Sequence, residues 1–166
     1  MDVSYKRLPH KRNETFLSVL SAGLFLILVG MIFATTPNLI DKIVEFFKDF
    51  ETTSVPNSNI HLPAPQHPWT HSILYSAAWI FSFIWGLFEI ILLVLRFLIR
   101  SQLTKKAETM SNIVFWLGTT FLINRFLNET TTNETWFMFW ATIIMLLGVS
   151  LIIRAIILAI ARSERS

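Results

Sequence analysis

One carboxylate lies where hydrocarbon should be. Glu89 falls inside the apolar run Ile73–Leu95, and an ionisable side chain in such a run needs a partner, a proton or a bound ion. Along a helix rising about 1.5 Å per residue, Glu89 sits roughly 24 Å past Ile73 and about 16 Å before Arg100. Two cations can approach that depth. Arg154 stands 18 residues after Trp136 in the last apolar run, and Arg96 is seven residues after Glu89 on the same helix face. An intramembrane charge pair of Glu89 with Arg154 or Arg96 would offset the burial cost of both charges. Ala78, Ser82 and Gly86 are spaced by four and form a helix-packing face of small residues. Glu89, three beyond Gly86, shares that face. The carboxylate is therefore predicted to point at a neighbouring helix or a second copy, as a structural pair or as a proton or cation site.

Histidine offers less. His67 and His71 are four apart, the spacing that sets two imidazoles on one helix face, which makes them weak candidates for a metal. Pro68 stands between them and the sequence supplies no third ligand, so no metal is assigned. His61 lies in the same segment and His10 near the N-terminus, so no histidine falls in an apolar run and haem ligation between spans is unsupported. There is no cysteine, which excludes disulfides, thiolate catalysis and iron–sulfur clusters. No P-loop, dinucleotide fingerprint, nucleophile elbow or zincin motif occurs. No cofactor is implied, and an integral membrane enzyme is the weakest reading. Asn-x-Thr triplets occur at Asn13, Asn128 and Asn133. Only Asn128 and Asn133 fall on the predicted outer side, where glycosylation takes place.

Long apolar segments must position these groups. Hydrophobic residues make up 53% of the 166, against about 45–50% in soluble domains. They concentrate in spans 16–34, 73–95, 110–127 and 136–161, and about 20 apolar residues cross a bilayer. The third is the least apolar, interrupted by Thr119, Thr120 and Asn124. Threading four spans sorts the fourteen Lys and Arg residues unevenly. Eleven, Lys6 to Arg12 and Arg96 to Lys106 together with Arg154, Arg162 and Arg165, fall on one face, and only Lys42, Lys48 and Arg125 on the other. Basic flanks stay in the cytoplasm, so both termini are predicted inside. If the third stretch did not cross, the basic end of the fourth would be outside. The net charge of +3 follows from this topology and from anionic headgroups, not from nucleic-acid binding. Residues 33–37 make a poor cleavage site, so the first span reads as an uncleaved signal anchor.

Between the spans, residues 37–51 alternate as an amphipathic helix, with Pro37 at its start and Leu39, Ile43, Phe46, Phe47 and Phe50 on one side. Residues 52–71 form a Pro- and His-containing linker of extended type that offers no core. Residues 1–15 and 163–166 read as cytoplasmic tails flanking one membrane domain, 16–162. The small residues Ala141, Gly148, Ala155 and Ala159 read as ordinary helix packing. The sequence thus predicts an all-α integral membrane protein: a four-transmembrane-helix bundle, N-in and C-in, with an outer interfacial helix after the first span. The expected partners are the lipid bilayer and copies of the chain or other membrane subunits, and the expected site is the cell membrane. The first functional reading is a non-enzymatic subunit or scaffold acting by helix association. The alternative is a small oligomeric transporter or channel using Glu89. Small multidrug transporters resemble this outline, with four spans and one membrane glutamate, although theirs is in the first span.

Overall fold

A computed structural model describes residues 8–56 and 58–163. Of the expected tails at 1–15 and 163–166, residues 1–7 and 164–166 lie outside the described residues, and helix is already present from Leu8. The chain runs α1 (Leu8–Thr35), α2 (Leu39–Lys48), β1 (Phe50–Ser54), β2 (His61–Pro65), a 3-10 turn (Pro68–His71), α3 (Ser72–Leu98), α4 (Leu103–Phe126) and α5 (Asn133–Ser163). Among the described residues, three segments are long and apolar enough to cross a membrane: Glu14–Thr35, Pro68–Leu98 and Asn133–Ile160. The expected third span falls in α4, which is not among them. α4 begins seven residues before Met110, and that first part adds Lys105, Lys106 and Glu108.

Contacts define how the long helices run. Arg96 bonds to Lys105 and Thr109, Glu89 meets Asn112, and Gly86 faces Leu117, so α3 and α4 are antiparallel. Ser111 bonds to Ser150 and Gly118 faces Leu146, so α4 and α5 are antiparallel as well. Leu17 packs with Phe88 and Leu92, and Leu28 and Ile32 with Ala77, which sets α1 antiparallel to α3. α4 is packed on both sides, by α3 and by α5, while those two scarcely touch.

Glycine makes this close approach feasible. A Cβ on Gly86 would lie 2.5 Å from a Leu117 methyl, and one on Gly118 would lie 2.6 Å from a Leu146 methyl. Each glycine is a socket for a leucine of the next helix, the small-residue logic of helix packing in lipid. Gly23, Gly30 and Gly148 have nothing within 4 Å. The stripe expected to pack ordinarily, Ala141, Gly148, Ala155 and Ala159, is exposed along α5. Of the α3 face, Ser82 and Gly86 are buried but Ala78 is exposed.

The proline-rich segment is not a bare extended linker. β1 and β2 pair antiparallel, with Phe50 opposite Pro65 and Ser54 opposite His61. Backbone bonds from Gln66 to Asp49 and from Val55 to Ile60 continue the ladder beyond each end. Those pairs mark the even-numbered positions of β2 as the hydrogen-bonded ones. Pro63 and Pro65 therefore occupy non-bonded positions, where a missing N–H costs nothing. The hairpin also supplies core: Ala64 is 0% exposed and joins Tyr75, Ile123, Leu127, Trp136 and Phe139. The amphipathic helix is shorter than expected. It starts two residues after Pro37, because Asn38 takes a left-handed conformation (φ 52°) that asparagine tolerates better than most residues. One α2 face, with Leu39, Ile43 and Phe46, packs onto the helix ends, leaving Ile40, Val44 and Phe47 exposed.

Gly86→Leu should collide with Leu117 and lower stability by about 1–3 kcal/mol. Gly148→Leu should leave the thermal midpoint of the detergent-solubilised chain unchanged. Equal midpoints for both variants would contradict the socket geometry.

Candidate functional site

Glu89 is 6% exposed on α3. Its Oε1 accepts a hydrogen bond from Asn112 Nδ2 of α4 at 3.2 Å. Among the described residues, no ion pair joins Glu89 to Arg96 or Arg154. Arg96 turns the other way. Its guanidinium donates to the Lys105 carbonyl at 2.6 Å and to the Thr109 hydroxyl, tying the end of α3 to the first turns of α4. Arg154 is on α5, which packs on α4 and scarcely touches α3. The expected charge pair is thus replaced by a carboxylate–amide pair. Asn112 carried a readable signal: it and Glu89 are about equally far from the turn after α3, the relation antiparallel neighbours require.

The polar side of α4 continues on both sides of Asn112. Ser111 Oγ donates to the Ser150 carbonyl of α5 at 2.8 Å. Thr109 and Thr120 return their hydroxyls to carbonyls one turn back in α4, at 2.8 and 2.9 Å. Interhelical bonds of this kind join helices where water is absent.

A second constellation lies at the hairpin end and centres on Asp49, which the sequence places only among the charges of the amphipathic helix. Asp49 follows α2, and its backbone carbonyl accepts from Gln66 N–H at 2.8 Å. Its carboxylate takes three further bonds, each 2.9 Å long. Oδ2 accepts from the His67 backbone N–H and meets His71 Nε2, and Oδ1 meets His67 Nδ1. The His71 side chain is 6% exposed and that of Asp49 15%. Phe46 sets its ring edge-on to His71, with centroids 5.0 Å apart. One carboxylate therefore ties α2, the hairpin, the 3-10 turn and the start of α3. The two histidines considered for a metal spend these nitrogens on Asp49, and no group of three or more His, Cys, Asp or Glu residues suited to a metal occurs among the described residues.

The glycosylation candidates differ in access. Asn128 is exposed, and its Oδ1 accepts from the Thr130 N–H and hydroxyl at 2.8 and 2.6 Å. Asn133 is the first residue of α5, and its Oδ1 is buried with no partner among the described residues. Beside Asn128 is an open cavity of about 1070 Å³ between the ends of α1, α3 and α4, which no sequence signal announced. Its lining stops at Ile80 and Ile123, and Glu89 is nine residues beyond Ile80, about 13 Å deeper along α3.

The features define a helical protein with three helices able to cross a membrane, closed at one end by a hairpin. The chain matches no protein-family model, no curated protein and no solved structure.

Burial alone would raise the Asp49 carboxyl, but hydrogen bonds from both histidines and from the His67 backbone outweigh it and hold the group below its ordinary value. A carboxylate lowered in the folded state stabilises it above the unfolded value near 4 and loses that effect as pH falls through the folded one. The thermal midpoint should therefore drop on acidification below about pH 4. Asp49→Asn should cost about 2 kcal/mol at neutral pH and remove this acid-dependent component. Identical pH profiles for the two proteins would refute the clasp.

Proposed function

We propose that this chain is a non-enzymatic membrane subunit or scaffold that crosses the bilayer four times and acts by lateral association of its helices. In this reading α4 is the third crossing. It runs antiparallel beside α3 and α5, and its 24 residues extend about 36 Å against a hydrocarbon thickness of about 30 Å. Its low hydropathy is supported by its position, since a helix packed on two sides meets little lipid. With four crossings, the basic ends at 96–106 and 154–165 share one side and the hairpin lies on the other. The positive-inside rule then puts both termini in the cytoplasm, and the cell membrane is the natural site.

The observation that carries the associative role is the outward face of α5. This 31-residue helix exposes Ala141, Gly148, Ala155 and Ala159, and a Cβ on Gly148 would meet no side chain or neighbouring helix within 4 Å beyond its immediate chain neighbours. Such a stripe admits the backbone of another helix. The candidate partners are a second copy or another membrane subunit. A solute pathway through Glu89 has less support: the cavity stops short of it, and its carboxylate is engaged by Asn112.

Two measurements test this reading. Reporter fusions at residues 101 and 164 should report the cytoplasm and one at 132 the outside; a cytoplasmic report from 132 removes the third crossing. In mild detergent the chain should purify as a defined oligomer or with a second membrane protein. Gly148→Leu combined with Ala155→Leu should reduce that association about tenfold while leaving the thermal midpoint in place. A wild-type chain that is strictly monomeric and alone would overturn the associative role.

A further inference from the structure

We propose that the cavity at the hairpin end binds one membrane amphiphile with an ammonium headgroup. This inference uses the membrane placement above but not the associative role of α5.

The cavity has the polarity gradient of such a molecule. Its mouth carries Thr36, Asn128, Glu129 and Thr130, from the turn after α1 and the loop before α5. Its α3 and α4 walls add Ala77, Ile80 and Ile123, with Ser76 and Asn124 among them. From Ser72 to Ile80 the α3 wall extends about 12 Å. A polar head at the mouth and hydrocarbon along that wall would each meet matching surface. About 1070 Å³ is at the upper end of small-ligand pockets, roughly 300–1,000 Å³, so a lipid fragment fits better than a small polar metabolite.

Charge selects the headgroup. Glu129 is the one ionisable group other than Tyr75 in the lining, and no Lys, Arg or His contributes. A positive nitrogen at the mouth gains an exposed carboxylate, whereas an anionic head meets it with like charge. Trp79 and Tyr75 add two aromatic rings to the α3 wall, where the hydrocarbon would lie. The Tyr75 hydroxyl is buried without a hydrogen-bond partner among the described residues.

The test uses the full chain in a neutral sugar detergent, titrated with dioctanoyl phosphatidylcholine or dioctanoyl phosphatidylglycerol and read by native mass spectrometry. One phosphatidylcholine per protomer should bind, about fivefold tighter than phosphatidylglycerol. Ser76→Trp places an indole in the cavity from an exposed lining position and should weaken binding about tenfold or more. Glu129→Gln should remove most of the preference for phosphatidylcholine, and Glu134→Gln, a carboxylate outside the lining, should not. Equal binding of the two lipids to the wild type, or several molecules per protomer insensitive to both variants, would overturn the proposal. If Ser76→Trp loses its helical circular dichroism, Glu129→Gln decides alone. Its position on an exposed loop spares the fold, and an unchanged preference there rejects the site.

Discussion

A helix with many polar side chains can stand among apolar helices only if other helices cover it. α4 carries Thr109, Ser111, Asn112, Thr119 and Thr120, and all but Asn112 are buried. A buried polar group is stabilised by an internal hydrogen-bond partner. α3 and α5 supply partners from opposite sides, Glu89 to Asn112 and the Ser150 carbonyl to Ser111, while Thr109 and Thr120 bond to carbonyls of α4 itself and Thr119 Oγ1 is buried without a partner among the described residues. Gly86 and Gly118 let the leucines between these bonds interlock. The burial of Glu89 and the outward position of α5 are both consequences of one helix occupying the middle.

The hairpin end solves a different problem. Thirty-six residues separate the end of α1 from the start of α3 (36–71), and without cysteine they are held by hydrogen bonds, aromatic contacts and the aliphatic packing of Leu39, Ile43 and Ala64. Asp49 ties the end of α2 to the C-terminal end of that segment at Gln66, His67 and His71. Around it Phe46, Phe50, Tyr75 and Trp136 form edge-on and tilted ring contacts with centroids 5.0–6.4 Å apart. These rings seal the hairpin onto α3 and α5, so Ala64 reaches the core from a segment rich in proline.

Much of the fold is readable from residue patterns because hydrocarbon length and apolarity are strong, local signals. The cores of α1, α3 and α5 follow from them directly. α4 is harder, since its polarity makes sense only once its neighbours are known. Glu89 stands out through the cost of its burial, but its partner does not. Pairing it with arginine follows Coulomb attraction, whereas helix order put α4, and hence Asn112, against it. Arg154 matches Glu89 in depth along the helices, and depth says nothing of which helix lies beside which. The hairpin escaped because Pro63 and Pro65 argue against a strand unless the register that excuses them is known. Asp49 escaped for a related reason: its partners lie 18 and 22 residues away, across that hairpin. The cavity is a property of helix ends and leaves no periodic trace.

The four long helices are not equally held. α3, α4 and α5 are joined by connections of four and six residues (99–102 and 127–132) and grip one another through leucine-in-glycine sockets. α1 rests chiefly on α3, has open space at Gly23 and Gly30, and is tethered through the segment that Asp49 fastens. Regions with few buried contacts part at the lowest cost. The molecule is thus a tight three-helix block with one loosely leaning arm, and swinging that arm would widen the gap between α1 and the block without disturbing a single bond made by α4.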